Sequence, residues 1–440
     1  MDLLSTDIRK LYAHYLFPSL GSALVITIYS LVDTIAVGQS AGPNGAAAMA
    51  VIGPVWSMMI SFGLLLGIGG AAMMSMRRGA GKEQEGRRYF SVGILAAGVF
   101  TLFLWGFFNL VAEDMLVFFG ADAEILPLAM EYVFWVRLAL PVFTMATVLA
   151  AYIRNDGAPG LCMAAVVTGG LFNVVGDWLF VFPLGMGISG AGLATVLGQA
   201  IQMGILCTHF LSKKNGLHWV RPTGFFRALG EILRLGVSPF LIDFTNGLLI
   251  CLFNIQIVRC LQSNDALSVY GVVCTLVALI QALYNGVGQA IQPIISSNLG
   301  AKQPERIRAA LGQGVRTVLL MGVVVTAVGL LFPRQLICIF IRATESVLAV
   351  GEPVFRIYFL AFLPMGLNIL CGYYFQSMLH TREGMTVSLL RGILLSGTLI
   401  LLLPALLGGE MIWWTMPITE ALTLAVAAVF ACRMRKNTAT

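Results

Sequence analysis

Long apolar runs, each bounded by a short polar stretch, recur from one end of the chain to the other. A helix needs about 20 predominantly apolar residues to cross the hydrocarbon of a bilayer. Runs of that length lie near residues 11–37, 47–75, 90–112, 130–152, 161–182 and 190–211. A second set follows near 231–260, 268–298, 313–332, 350–378, 386–408 and 411–432. The pattern predicts an all-α membrane protein with twelve transmembrane helices. The longest runs exceed what an upright helix needs, so tilting or bending is expected. Pro54, Pro141, Pro239, Pro293 and Pro364 offer places to bend.

Composition removes the soluble alternatives. The chain is 58% hydrophobic and 11% charged, with a mean hydropathy of +0.88. Soluble domains carry about 25% charged residues, so this chain could not coat a water-facing globule. The formal charge of +6 builds no continuous basic face and implies no nucleic-acid partner. It is instead distributed by loop. Arg9 and Lys10 precede the first span; Arg77, Arg78, Lys82, Arg87 and Arg88 follow the second, and Arg154 the fourth. Lys213, Lys214, Arg221 and Arg227 follow the sixth, Lys302, Arg306 and Arg308 the eighth, and Arg382 the tenth; Arg433, Arg435 and Lys436 close the chain. Opposite loops carry Glu113, Asp114, Asp122 and Glu124, with Arg259, Arg334 and Arg342 as exceptions. By the positive-inside rule both termini are expected in the cytoplasm. No removable signal peptide is expected, since the first span follows a polar start that includes Asp2 and Asp7.

The halves repeat at a spacing of roughly 220 residues. Ser30-Leu31-Val32-Asp33 corresponds to Cys251-Leu252-Phe253-Asn254, and Pro18 to Pro239. Gly67-Ile68-Gly69-Gly70-Ala71 resembles Gly286-Val287-Gly288-Gln289-Ala290, and Gly79-Ala80 matches Gly300-Ala301. Glu131, Val133 and Phe134 recur as Glu352, Val354 and Phe355. A six-span repeat returns to its starting side, so two pseudo-symmetric six-helix bundles in one orientation are expected. The division reads as an N-lobe over 1–211, a cytoplasmic linker over 212–230, a C-lobe over 231–432 and a tail over 433–440.

Ionisable groups inside hydrocarbon are costly and point to function. Asp33, Asp177, Asp243 and Glu420 fall within spans 1, 5, 7 and 12. For Asp33 and Asp177, near the outer ends of their spans, the bland reading is a carboxylate reaching headgroups. Asn173 and Asp177 stand one turn apart on one helix face, and Thr195 in span 6 adds a hydroxyl. With Asp33 they make an oxygen-rich group suited to a small alkali cation such as sodium. Alternatively, two crowded carboxylates can share a proton. The repeat partner of Asp33 is Asn254, so the ion site should be one-sided. In the second half, Asp243 has Asn246 and Gln281 as potential company. Tyr284, Tyr373, Tyr374, Trp413 and Trp414 offer faces for flat cations, although an interfacial belt is the plainer role for the two tryptophans. Glu420 and Arg391 read equally as a structural ion pair or as functional groups. The substrate candidates are therefore Asp243, Gln281, Tyr284, Tyr373 and Glu420.

Other motifs carry no chemistry in this setting. Gly185-Met186-Gly187-Ile188-Ser189-Gly190 fits GxGxxG but has no strand before it. Gly81-Lys82 lacks the rest of a P-loop, and His14, His209, His218 and His380 form no ligand cluster. Neither enzyme chemistry nor an organic cofactor is expected. The eight cysteines sit almost entirely in apolar segments without a CxxC pair, and small core residues are their expected role.

The stretches LVDTIAVG (31–38), GAAMMSMRRGAGK (70–82), RNDGAP (154–159), NVVGDWLFVFPLGMGISGAGLAT (173–195) and QAIQPIISSNLGAK (289–302) resemble bacterial multidrug and toxic compound extrusion (MATE) transporters, nearer the DinF-like branch. The resemblance covers essentially the whole chain, the span 5–6 stretch most specifically. It implies a V-shaped twelve-helix bundle in the bacterial cytoplasmic (inner) membrane, and efflux of organic cations by antiport against sodium or protons through alternating access. It also implies an N-lobe cation site whose acid in span 1, Asn and Asp in span 5 and Thr in span 6 match Asp33, Asn173, Asp177 and Thr195. The NorM-like pattern of C-lobe acids is incomplete, since Asn368 and Cys371 stand where a span 10 acid is needed; Asp243 then becomes a substrate contact.

Alternatives have distinct requirements. A flippase of lipid-linked precursors from the same superfamily should carry several basic residues in its cleft, and Arg391 and Arg137 are the few on offer. A major-facilitator carrier should show an acidic–basic signature after span 2, which GAGKEQEGRR does not match. A channel would conduct with its N-lobe acids neutralised. Nothing in the chain requires more than a monomer.

Overall fold

The computed structural model describes residues 2–340 and 344–437, except the side chains of Pro43, Ala46, Asp243, Asn264, Arg435, Lys436 and Asn437. The side chain of Asp243, the loop cation Arg342 and the end of the expected tail (438–440) therefore lie outside the described residues.

Among the described residues, twelve helices are long and apolar enough to cross a membrane: α1 (Ile8–Gly42), α2 (Ala47–Gly79), α3 (Glu83–Phe118), α4 (Ile125–Asn155), α5 (Pro159–Val181), α6 (Gly187–Leu211), α7 (Phe225–Leu261), α8 (Asp265–Gly300), α9 (Pro304–Leu331), α10 (Glu345–Ser377), α11 (Thr381–Leu407) and α12 (Gly409–Met434). Each coincides with one apolar run of the sequence, extended at most ends by polar turns. Their outer faces carry bare hydrocarbon: Leu110 is 85% exposed and Phe118 84%. Water would not tolerate so much apolar surface; lipid does.

Bends follow local chemistry. Between α1 and α2 the backbone leaves helical geometry at Gly42 (φ 65°, ψ −153°), a conformation that glycine reaches without a Cβ penalty. Pro141, Pro239 and Pro293 lie inside helices that continue through them. α10 is interrupted at Leu360 and Ala361, just ahead of Pro364, which can give no N–H to the preceding turn. In α11, Leu390–Leu394 forms a π turn around Arg391.

Two compact units result, Met1–Phe240 with Ser296–Pro304, and Leu241–Ile295 with Glu305–Thr440. The division falls inside α7 beside Pro239 and inside α8 just after Pro293. In the first unit the ends of α2 and α8 cross at backbone distance. A Cβ on Gly79 would overlap the Ser297 carbonyl, and one on Gly300 would overlap that of Met76. The repeated Gly-Ala pairs thus exist because each glycine admits the other helix.

Polar residues 212–230 are tied to the same unit. Asp156 accepts hydrogen bonds from Arg78 Nη1 and, at 2.8 Å, from the Gly216 N–H, and pairs with His209 Nε2 at 2.7 Å. Arg78 also donates to the Gly216 carbonyl, and Ser91 Oγ accepts from the Val220 N–H. Burial works to raise the Asp156 carboxyl, but its bonds from His209, Gly216 and Arg78 outweigh that and hold it below the usual aspartate value.

The second unit departs from the sequence reading at Trp413. Trp413 is only 1% exposed, donates to Glu410 Oε2 at 3.1 Å and packs toward Tyr270, so it belongs to the interior and not to an interfacial belt. The cysteines need a similar correction. All eight are free, yet Cys162 alone among them is buried, and five are exposed. Lipid accepts apolar side chains as readily as a protein core does, so an apolar neighbourhood does not tell one face of a membrane helix from the other.

Candidate functional site

Helices α5 and α6 meet through glycine. A Cβ on Gly198 would stand 2.7 Å from the Gly169 carbonyl oxygen, and one on Gly169 would stand 2.6 Å from that of Gly198. Small residues at such crossings let backbones approach. One turn beyond Gly169 on α5 comes Asn173, and one turn before Gly198 on α6 comes Thr195. The close approach lets Asn173 Nδ2 donate to Thr195 Oγ1 at 3.0 Å. Downstream of Asn173, the loop into α6 turns on Gly185 (φ 64°) and Gly187 (φ 58°), which accounts for the GxGxxG pattern as helix-to-helix turn chemistry.

The four residues singled out in the first half assemble. Asn173 Nδ2 also reaches Asp177 Oδ1 at 3.5 Å. Asp33 joins from α1 through an intermediary: Tyr132 of α4 donates to Asp33 Oδ2 at 2.7 Å and lies 3.3 Å from Thr195 Oγ1. Exposures are 6% for Asp33, 3% for Asn173, 0% for Asp177 and 6% for Thr195, so neither carboxylate reaches outward to headgroups. Three buried oxygens have no hydrogen-bond partner: Asp33 Oδ1, Asn173 Oδ1 and Asp177 Oδ2. No lysine, arginine or histidine pairs with either acid among the described residues. Buried carboxylates without compensation are expensive. Unpartnered acceptors of this kind are what a small cation or a proton would satisfy, and the donor set of carboxylates, amide and hydroxyl suits a hard ion. No group of three or more His, Cys, Asp or Glu able to hold a metal ion occurs among the described residues, so a transition-metal site is not indicated there.

Tyr132 was not legible as part of the site. A tyrosine in a span is chemically unremarked, and its flanking residues pointed only to the repeat, in which its own counterpart is Pro353. Gln199, a turn beyond Thr195, is a second omission; its Nε2 donates to Tyr29 Oη at 3.4 Å.

The candidates of the second half separate. Glu420 is sealed at 0% exposure, where Arg391 Nε donates to Oε1 at 2.6 Å and Asn368 Nδ2 to Oε2 at 2.7 Å. Gln281 and Arg391 line a cavity with about 690 Å³ of empty space, partly open to solvent. Tyr284 and Tyr373 do not line it. They pack instead where Gly366 and Gly288 leave room for a ring.

The MatE family model matches residues 18–179 and 245–399. The multidrug export protein MepA of Staphylococcus saprophyticus is 22% identical over 438 residues, spanning 98% of this chain and 95% of the relative. MepA of Staphylococcus aureus is 20% identical over the same shares. Among solved structures, the MATE multidrug transporter DinF-BH superposes with a TM-score of 0.90 at 27% identity, covering 99% of this chain and 98% of that one. An outward-facing multidrug resistance MATE family transporter of the MOP superfamily gives 0.90 at 19% identity, covering 98% and 97%.

Proposed function

The chain belongs to the MatE family, and from that premise we propose that it expels organic cations in exchange for sodium or protons. It is a multi-pass membrane protein and a secondary multidrug efflux transporter of small molecules, not an enzyme. The finer reading places it in the DinF-like branch, as a monomer in the bacterial cytoplasmic membrane with both termini inside; the basic loops support that orientation.

Coupling is assigned to Asp33, Asn173, Asp177 and Thr195, with Tyr132 positioning the first of them. The observation that carries this is the set of three unpartnered buried oxygens on Asp33, Asn173 and Asp177. An ion entering there offsets part of the cost of burying the two carboxyl groups without partners. Its departure restores that cost, so one conformation is favoured with the ion and another without it. Such differential affinity is what lets a gradient drive alternating access. Sodium would use the free oxygens as ligands; a proton would be held between the carboxylates.

The test uses purified protein in liposomes loaded with a fluorescent organic cation, under a sodium gradient and a proton gradient in turn. Efflux driven by one gradient and lost in Asp177→Asn identifies the ion and the site. Unchanged gradient-driven efflux in a folded Asp33→Asn/Asp177→Asn double variant overturns the assignment.

A further inference from the structure

The second unit contains a buried cation that the coupling site does not use. Glu420 has both carboxylate oxygens satisfied, one by Arg391 Nε and one by Asn368. Arg391 has donors to spare. A guanidinium carries five N–H donors and stays charged, yet among the described residues its hydrogen bonding is limited to the Nε contact. Arginine–carboxylate pairs are frequently bidentate; here Nε alone meets Glu420. Arg391 keeps 7% of its surface accessible while Glu420 keeps none, and it is Arg391 that lines the cavity.

The backbone is arranged around this side chain. Arg391 sits within the π turn Leu390–Leu394, a local widening that redirects side chains and is frequent at functional sites. Gly392 follows it, and a Cβ there would overlap Thr245 Oγ1 across the cavity wall. Phe253, Tyr270 and Tyr358 give the cavity an aromatic lining, with Gln281 and Asn246 as further hydrogen-bonding groups. An apolar chamber with a few polar groups and one incompletely used charge is the composition of a small-molecule site.

We infer that this cavity binds an anionic group, of the carboxylate class, carried on an aromatic or aliphatic body, and that the terminal nitrogens of Arg391 hold it. The site stands independently of the cation site in the first unit.

Two probes of equal size test it, 2-naphthoate and its neutral counterpart 2-naphthamide. Each is titrated calorimetrically into the full chain in lipid nanodiscs, with empty nanodiscs as the reference for partitioning. The wild type should bind naphthoate at least tenfold more tightly than naphthamide. Arg391→Gln with Glu420→Gln removes both charges and leaves neither partner alone; a folded double variant should show no preference. Ala278→Trp places an indole on the cavity lining while keeping both charges and should weaken naphthoate binding. Equal binding of the two probes by the wild type, no detectable naphthoate binding, or a preference that survives in the folded double variant would each overturn the inference. Efflux of the organic cation is followed in the same preparations. Cation efflux without naphthoate preference sinks this inference alone, and preference without efflux sinks the proposed function alone.

Discussion

Tyr132 donates its hydroxyl hydrogen to Asp33 Oδ2 at 2.7 Å, so the α1 carboxylate is joined to the α5–α6 group by a phenol from α4. Without it Asp33 would have both oxygens unpartnered, since Oδ1 already is.

Tyr132→Phe keeps the ring and removes that bond. The expected loss is about 1–3 kcal/mol of stability, read as a lowered unfolding midpoint. Half-maximal driving-ion concentration in the efflux assay should shift as well, because Asp33 is no longer held in place. A variant with wild-type ion dependence would confine Tyr132 to packing.

Residues that act as one unit lose function together. Asp33→Asn and Asp177→Asn should each abolish gradient-driven efflux, and the double variant should be no worse than either single one. Multiplying defects in partially active single variants would instead mean two separate sites.

Asp156 gives a pH prediction outside the membrane. Its carboxyl is held below its ordinary value by His209, Gly216 and Arg78 against the opposing effect of burial. The stability it contributes is therefore complete above the unfolded value of about 3.9 and is lost as pH falls through the lower folded value. Asp156→Asn should lower the unfolding midpoint at pH 7, and the gap from wild type should close toward pH 3. A gap of constant size across that range would show that charge is not involved.

The α5–α6 crossing leaves no room for a methyl group at Gly198. In Gly198→Ala the new Cβ would meet the Gly169 carbonyl at 2.7 Å and Asn173 Cβ at 3.2 Å. Overpacking of this kind costs about 1–3 kcal/mol, and it would separate Asn173 from Thr195. Reduced ion affinity should accompany the lost stability. Gly204→Ala on the same helix has open space around its Cβ and should be close to neutral in both assays.

The spans and the one-sided quartet were legible because their signals are intrinsic to the chain. Bilayer thickness sets helix length, and the i, i+4 spacing puts Asn173 and Asp177 on one face. The prolines were a poorer guide, since the break between α1 and α2 falls at Gly42 and α4, α7 and α8 run through theirs. Tyr132, buried Trp413 and the exposed cysteines were illegible for a shared reason. Each depends on which side of an all-round apolar helix meets protein, and hydropathy is blind to that in lipid. The Arg391–Glu420 pair was visible as two charges in spans, but the geometry in which Nε alone meets Glu420 depends on a π turn that no residue pattern announces.

Gly79 and Gly300 are the same position in the two halves, as are Met76 and Ser297. Each glycine meets the other half's carbonyl, so one contact is written twice with its partners exchanged. That reciprocity is the mark of an interface between like subunits, here retained within a single polypeptide. The carboxylates have gone the other way: Asn254 answers Asp33, and Thr398 answers Asp177. The repeat thus survives where backbones must touch and is lost at the candidate coupling site.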